Sequence, residues 1–233
     1  MKNTADRGYV LVFSQLTADG SKLNNYRPIV RKLEGKEEFM IAAKILAFAG
    51  SARQDSVNKK LVKIAVEGAK ATGAEVTYLD FRDLPLPLYD GDLEEAEGLP
   101  ENVLKLKALM KAHQGFLIAC PEYNSSITPL LKNAIDWASR SEPGEPPLEC
   151  FADKVAVLMS ASPGNLGGLR GLVHVRSILG NIGVLVLPDQ QAISNAYQAF
   201  DENGNLKDEA QQTSILQLGS KLATVTAKHN PPI

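Results

Sequence analysis

Cysteine and histidine are scarce in this chain. There are two cysteines, Cys120 and Cys150, and three histidines in 233 residues. No CxxC pair and no ligand-like Cys/His spacing occurs, which argues against a zinc site or a disulfide framework and makes a reducing cytosol the expected compartment. No apolar run reaches the roughly 18 residues of a membrane span, and no signal-peptide pattern is present. The net charge is only −2. Neither nucleic acid nor an anionic membrane is therefore an expected partner. GxxxxGK[ST] is missing, which excludes a Walker-type nucleotide loop. GxGxxG is missing too, and with it the usual dinucleotide fingerprint. What is present is ordinary: 44% hydrophobic and 22% charged residues, enough for one sizeable core.

The stretch 44–61, KILAFAGSARQDSVNKKL, organises the rest. Ile45 to Ala49 is a continuous apolar run, as in a parallel strand covered on both faces. Gly50 ends it. Ser56 is placed as an N-cap, with Val57, Leu61, Ile64 and Ala65 as the apolar face of the following helix. Ser51, Arg53, Ser56 and Asn58 thus gather hydroxyls, an amide and a guanidinium at a helix N-terminus, whose free N–H groups and partial positive charge suit an anion. Such side chains suit a terminal monophosphate. An ordinary strand-to-helix turn with a serine cap would carry similar residues.

Beyond it the pattern alternates. Strands are expected over 44–49, 74–80, 115–119, 154–159 and 184–187, and helices over about 56–71, 100–112, 127–139, 169–179 and 206–226. Pro100 is expected at the first helical position. The stretch 83–97, with Pro85, Pro87 and Gly91, is expected to be a loop, since it cannot be helical throughout. Residues 1–40 look different and read as an N-terminal extension, with a strand expected over 9–16, leaving 41–233 as the main domain. Five apolar strands alternating with helices call for a parallel sheet covered on both faces. Ligands of such sheets sit outside the carboxyl ends of the strands. That edge collects three loops, at 50–58, 121–126 and 160–168.

In the second loop Pro121 stiffens the strand exit, Tyr123 offers a flat face, and Asn124 offers an amide with donors and acceptors. Glu122, an acceptor only, is better suited to organising the loop than to touching a ring carbonyl. In the third, Ser160, Ser162 and Gly164 are small enough for backbone to approach a planar ring. His113 and His174 have no carboxylate at an obvious spacing, and no catalytic role is assigned to them.

GSARQDSVNKKL, PEYNSSITPLLKNAIDW and SASPGNLGG resemble the NAD(P)H-dependent FMN reductases of the flavodoxin-like fold, a family that includes soluble quinone, azo-dye and chromate reductases. The resemblance spans roughly residues 44 to 190. It implies a doubly wound five-stranded parallel sheet. It implies that Ser51, Arg53, Ser56 and Asn58 hold the FMN phosphate. It further implies that Pro121, Glu122, Tyr123 and Asn124 line the isoalloxazine, with Ser160, Ser162 and Gly164 near other parts of the ring. NADPH or NADH would be the donor; quinones, flavin, azo compounds or chromate the acceptors; a homodimer or homotetramer the assembly. Leu84, Leu86, Leu88 and Trp137 would suit a partner surface, or equally a core. A flavin-binding electron carrier and a non-catalytic interaction protein are the alternatives that the fold leaves open.

Overall fold

The computed structural model describes residues 42–230 and, before them, the backbone of three strands. These are β1 (Tyr9–Val10), β2 (Pro28–Leu33) and β3 (Lys36–Ile41), joined as an antiparallel sheet in the order β1-β2-β3. The strand expected over 9–16 coincides with β1 at its first two residues; the rest of it lies outside the described residues.

The main sheet has five parallel strands: β4 (Lys44–Ala49), β5 (Glu75–Leu79), β6 (Gly115–Ala119), β9 (Val155–Ala161) and β10 (Leu185–Ile193). Between β6 and β9 lies a small hairpin, β7 (Glu122–Tyr123) and β8 (Ser126–Ile127). The sheet order is β10-β9-β6-β4-β5. Counted in chain order, the five parallel strands run 2-1-3-4-5, the doubly wound flavodoxin-like arrangement. The chain reverses direction across the sheet between β4 and β6, and the crevice opens there.

Side chains alternate between two apolar layers. Ile45, Ala47 and Ala49, with Leu117, Val155 and Val157, face α1 (Val57–Lys70) and α7 (Glu209–His229). Leu46 and Phe48, with Phe116, Ile118 and Leu158, face α3 (Glu101–Ala112), α4 (Pro129–Ala138) and α5 (Leu169–Asn181). Strands apolar on both faces are what a parallel sheet between two helical layers requires. On the first face α1 and α7 approach closely enough that a Cβ on Gly219 would lie 1.8 Å from the Ala65 carbonyl oxygen, and one on Gly68 2.0 Å from that of Leu216.

Several local expectations change. A helix α2 (Gly91–Glu97) forms within the 83–97 stretch; Asp90 caps it by accepting the Asp92 N–H, and it buries no residue. Pro100 is the N-cap of α3 and not its first residue. β10 runs past Pro188, with a register shift between Val186 and Gln190. As an edge strand it tolerates a residue that cannot donate to the ladder. A last short helix, α6 (Ala196–Ala199), follows β10.

Candidate functional site

The phosphate-type turn lies between β4 and α1. Gly50 donates its N–H to Ala119 O at 2.9 Å, and a Cβ there would come within 2.8 Å of Leu131 Cβ. Ser51, largely buried, accepts the Arg53 N–H on its Oγ at 3.3 Å. Ser56 stands at the N-cap of α1, as expected, but its hydroxyl makes no capping bond. Among the described residues the N–H groups of Val57 and Asn58, the first two of α1, find no acceptor. Arg53 is exposed, and its guanidinium makes no hydrogen bond or ion pair within the described residues. Two hydroxyls, two free amides and an uncommitted guanidinium therefore collect at one helix N-terminus, a donor set that fits a phosphate.

Asn58 does something else. It is buried, and its amide closes a two-point bridge: Nδ2 donates to Ala161 O at 2.8 Å, and Oδ1 accepts the Ala161 N–H at 2.9 Å. β6 has ended at Ala119, so Asn58 takes over the strand-side pairing of Ala161. The side chain expected on a phosphate is spent on holding the first loop to the third. A second tie was not foreseen in the sequence. Thr128, the N-cap of α4, accepts the Leu131 N–H at 3.3 Å and donates its hydroxyl to Gly50 O at 2.8 Å. It binds the first loop to the second; the T-P pair opening an apolar helical run was its only signal. The three loops meet at one edge of the sheet.

The second loop is the β7–β8 hairpin, turning on Asn124 and Ser125, which have φ of 50° and 65°. Positive φ at both central residues is the tight hairpin geometry that asparagine accepts. Pro121 is buried, whereas Tyr123 and Asn124 are exposed. Glu122 points away from the turn: its Oε2 accepts the Gly171 N–H at 2.8 Å. In the third loop Ser162 accepts the Gly164 N–H on its Oγ at 3.3 Å. Ser160 is fully buried and its hydroxyl has no partner; a Cβ on Gly168 would lie 1.9 Å from it. Beside the first loop an apolar groove of about 320 Å³ is lined by Ala52, Phe81, Leu84, Leu86, Leu88 and Pro129, among others.

No cluster of three or more metal-ligating side chains occurs among the described residues. Both cysteines are buried thiols; burial pushes Cys150 up to about 11 and Cys120 higher still, so neither is a nucleophile. Trp137 and Leu84 belong to the core, not to a surface, and Trp137 Nε1 donates to Pro87 O at 2.8 Å. Of the four residues considered for a partner surface, only Leu88 is strongly exposed, at 80%.

Residues 43–198 match the profile of the NADPH-dependent FMN reductases. The chain belongs to that family. A probable NADPH:quinone oxidoreductase of rice is 36% identical over 172 residues, covering 72% of this chain and 80% of the relative. An NAD(P)H-dependent FMN reductase of Pseudomonas aeruginosa is 36% identical over 175 residues, 75% of this chain and 90% of its own. Among solved structures, a flavoenzyme NAD(P)H:acceptor oxidoreductase from Paracoccus denitrificans superimposes with a TM-score of 0.68 at 28% identity, covering 81% of this chain and 99% of that one. This member of the FMN reductase family is thus an oxidoreductase. No helix among its described residues is long and apolar enough to cross a membrane.

Proposed function

We propose that this FMN reductase holds the flavin phosphate at the β4–α1 turn and the flavin ring against the β7–β8 hairpin and the 160–168 loop. The observation that carries this reading is the uncapped start of α1, where the Ser56 hydroxyl makes no cap and the Val57 and Asn58 amides are free. Bound FMN supplies the hydride chemistry between NADPH or NADH and the acceptor. The chain's own part is to bind and orient. Ser51, Ser56 and the two amides furnish hydrogen bonds to phosphate oxygens, and Arg53 furnishes charge. Pro121 fixes the exit of β6, and Tyr123 and Asn124 stand exposed beside the crevice as a flat face and an amide. Ser162 and Gly164 would let backbone approach the ring from the opposite loop, where Ser160 keeps a buried, unpartnered hydroxyl. The side chains of Asn58 and Glu122 serve by holding these loops, not by touching the flavin. No acid–base side chain is required of the protein.

Quinones are the acceptor class supported by the names of the relatives and by the apolar groove beside the first loop; free flavin, azo compounds and chromate are further candidates. Assembly as a homodimer or homotetramer and a cytoplasmic location complete the proposal, the first to be checked by light scattering and the second by fractionation. Residues 1–40 are read as an extension preceding a reductase domain at 41–233, supported by the family match that starts at residue 43 and by the separate sheet of β1–β3.

FMN titration of the apoprotein, followed by anaerobic mixing with NADPH, tests the reading. The parent should bind FMN and its yellow absorbance should bleach on mixing. Arg53→Ala should bind about ten- to a hundredfold more weakly, since a charged hydrogen bond is worth about 1.5–3 kcal/mol. Equal affinity in the variant would remove the phosphate assignment.

A further inference from the structure

Two strands of two residues each do not make a stable hairpin, so something outside the β7–β8 hairpin must fix it. Three contacts to α5 do so. Glu122 Oε2 accepts the Gly171 N–H at 2.8 Å, Arg170 Nη1 donates to Ser125 Oγ at 3.0 Å, and His174 Nδ1 lies 2.9 Å from Ser126 Oγ. Gly171 is the third residue of α5, and the N-cap of that helix, Gly168, has no side chain with which to cap it. The hairpin supplies the missing acceptor. The packing is correspondingly close: a Cβ on Gly171 would sit 3.3 Å from Ser126 O and 3.4 Å from Glu122 Cβ.

We propose that Glu122 is a positioning residue for the flavin site: its carboxylate caps α5, sets where Tyr123 and Asn124 stand, and offsets the positive end of α5 at the crevice. The proposal rests on reading the hairpin as the ring-side loop. Two physical effects follow from one bond. The first is mechanical, because the Glu122 tie is charge-assisted and is the one made to the α5 backbone. The second is electrostatic. The first turn of α5 carries partial positive charge, and it opens at the same edge as the three loops. A fixed negative charge at that turn reduces the field that would favour the electron-rich, reduced form of a bound flavin.

Two variants separate the effects. Glu122→Gln keeps an acceptor for the Gly171 N–H and removes the charge, whereas Glu122→Ala removes both. Amide hydrogen exchange on the apoprotein needs no flavin. Glu122→Ala should exchange at least about tenfold faster than the parent at Tyr123 and Gly171, as loss of a charged hydrogen bond implies, with Glu122→Gln much closer to the parent. In FMN-loaded protein, Glu122→Gln should move the flavin midpoint potential in the positive direction. Parental exchange in Glu122→Ala would overturn the brace, and an unmoved potential in Glu122→Gln would overturn the electrostatic role. Should the parent bind no FMN at all, the functional reading would fall while the exchange result still decided the brace.

Discussion

Asn58→Leu keeps the approximate shape of the side chain and deletes both of its hydrogen bonds to Ala161. The Ala161 N–H and C=O then remain buried, because Ala161 is only 3% exposed and Asn58 itself is buried among the same atoms. An unsatisfied buried polar group costs about 1–3 kcal/mol, so two of them predict a loss of about 2–6 kcal/mol of folding stability. Urea unfolding of the apoprotein, followed by circular dichroism, measures it as a lower midpoint at an unchanged slope. Arg53→Ala is the matched control. That side chain is exposed and its guanidinium makes no hydrogen bond or ion pair within the described residues, so its loss should change stability by no more than about 0.5 kcal/mol while weakening FMN. Asn58→Leu should weaken FMN as well, because the first and third loops are no longer joined. If Asn58→Leu unfolds within about 0.5 kcal/mol of the parent, the argument that this amide locks the loops is wrong.

Other perturbations reach other parts of the molecule. His113 is buried between Leu109 O, 2.6 Å from Nδ1, and Thr77 Oγ1, 2.8 Å from Nε2. Burial first, then the nearby Lys154, holds its pKa below the usual 6.5. The unfolded chain therefore takes up this proton first, and the stability that neutral His113 contributes is lost as pH falls below about 6.5; comparing urea midpoints at pH 7.5 and 5.5 tests this, and His113→Gln should flatten the difference. Lys107, with only 1% of its side chain exposed, donates to Arg140 O and to Glu145 Oε2 at 2.5 Å, and Glu145 is held well below the carboxylate range by the Glu142 N–H and by Lys107 and Lys111. Glu145→Ala leaves that ammonium only Arg140 O and the more distant Glu142 carboxylate at 3.9 Å, and should cost about 3 kcal/mol in urea unfolding, the low end for a broken buried pair. Gly219→Ala drives a methyl into the Ala65 carbonyl across the α1–α7 contact; thermal unfolding should show a loss of about 3 kcal/mol or more.

The centre of the sheet was legible because its strands are almost unbroken apolar runs: 115–119 matches β6 to the residue, and 44–49 matches β4. β10 extends beyond the expected 184–187 because an edge strand can shift register around Pro188. α2 was hidden among Pro85, Pro87 and Gly91, since its only local signal is the Asp90 cap. The positions of the loops were legible from the rule that ligands gather beyond the strand ends. Which side chains face the crevice was not. Asn58 carries an amide suited to a ligand, and only the placement of Ala161, more than 100 residues away, shows that it is already engaged; the organising role of Glu122 was legible, but not its partner Gly171, nearly 50 residues away. The tie through Thr128 is not legible in the sequence, because its hydrogen bond to Gly50 is long-range and leaves no periodic trace.

The ties through Asn58 and Thr128 are made within the polypeptide, so the cleft is cast when the chain folds and not when a guest arrives. Little ordering entropy is left to be lost on association. Empty and loaded forms should then superimpose at this edge, and uptake should follow a single bimolecular phase with no slow rearrangement behind it.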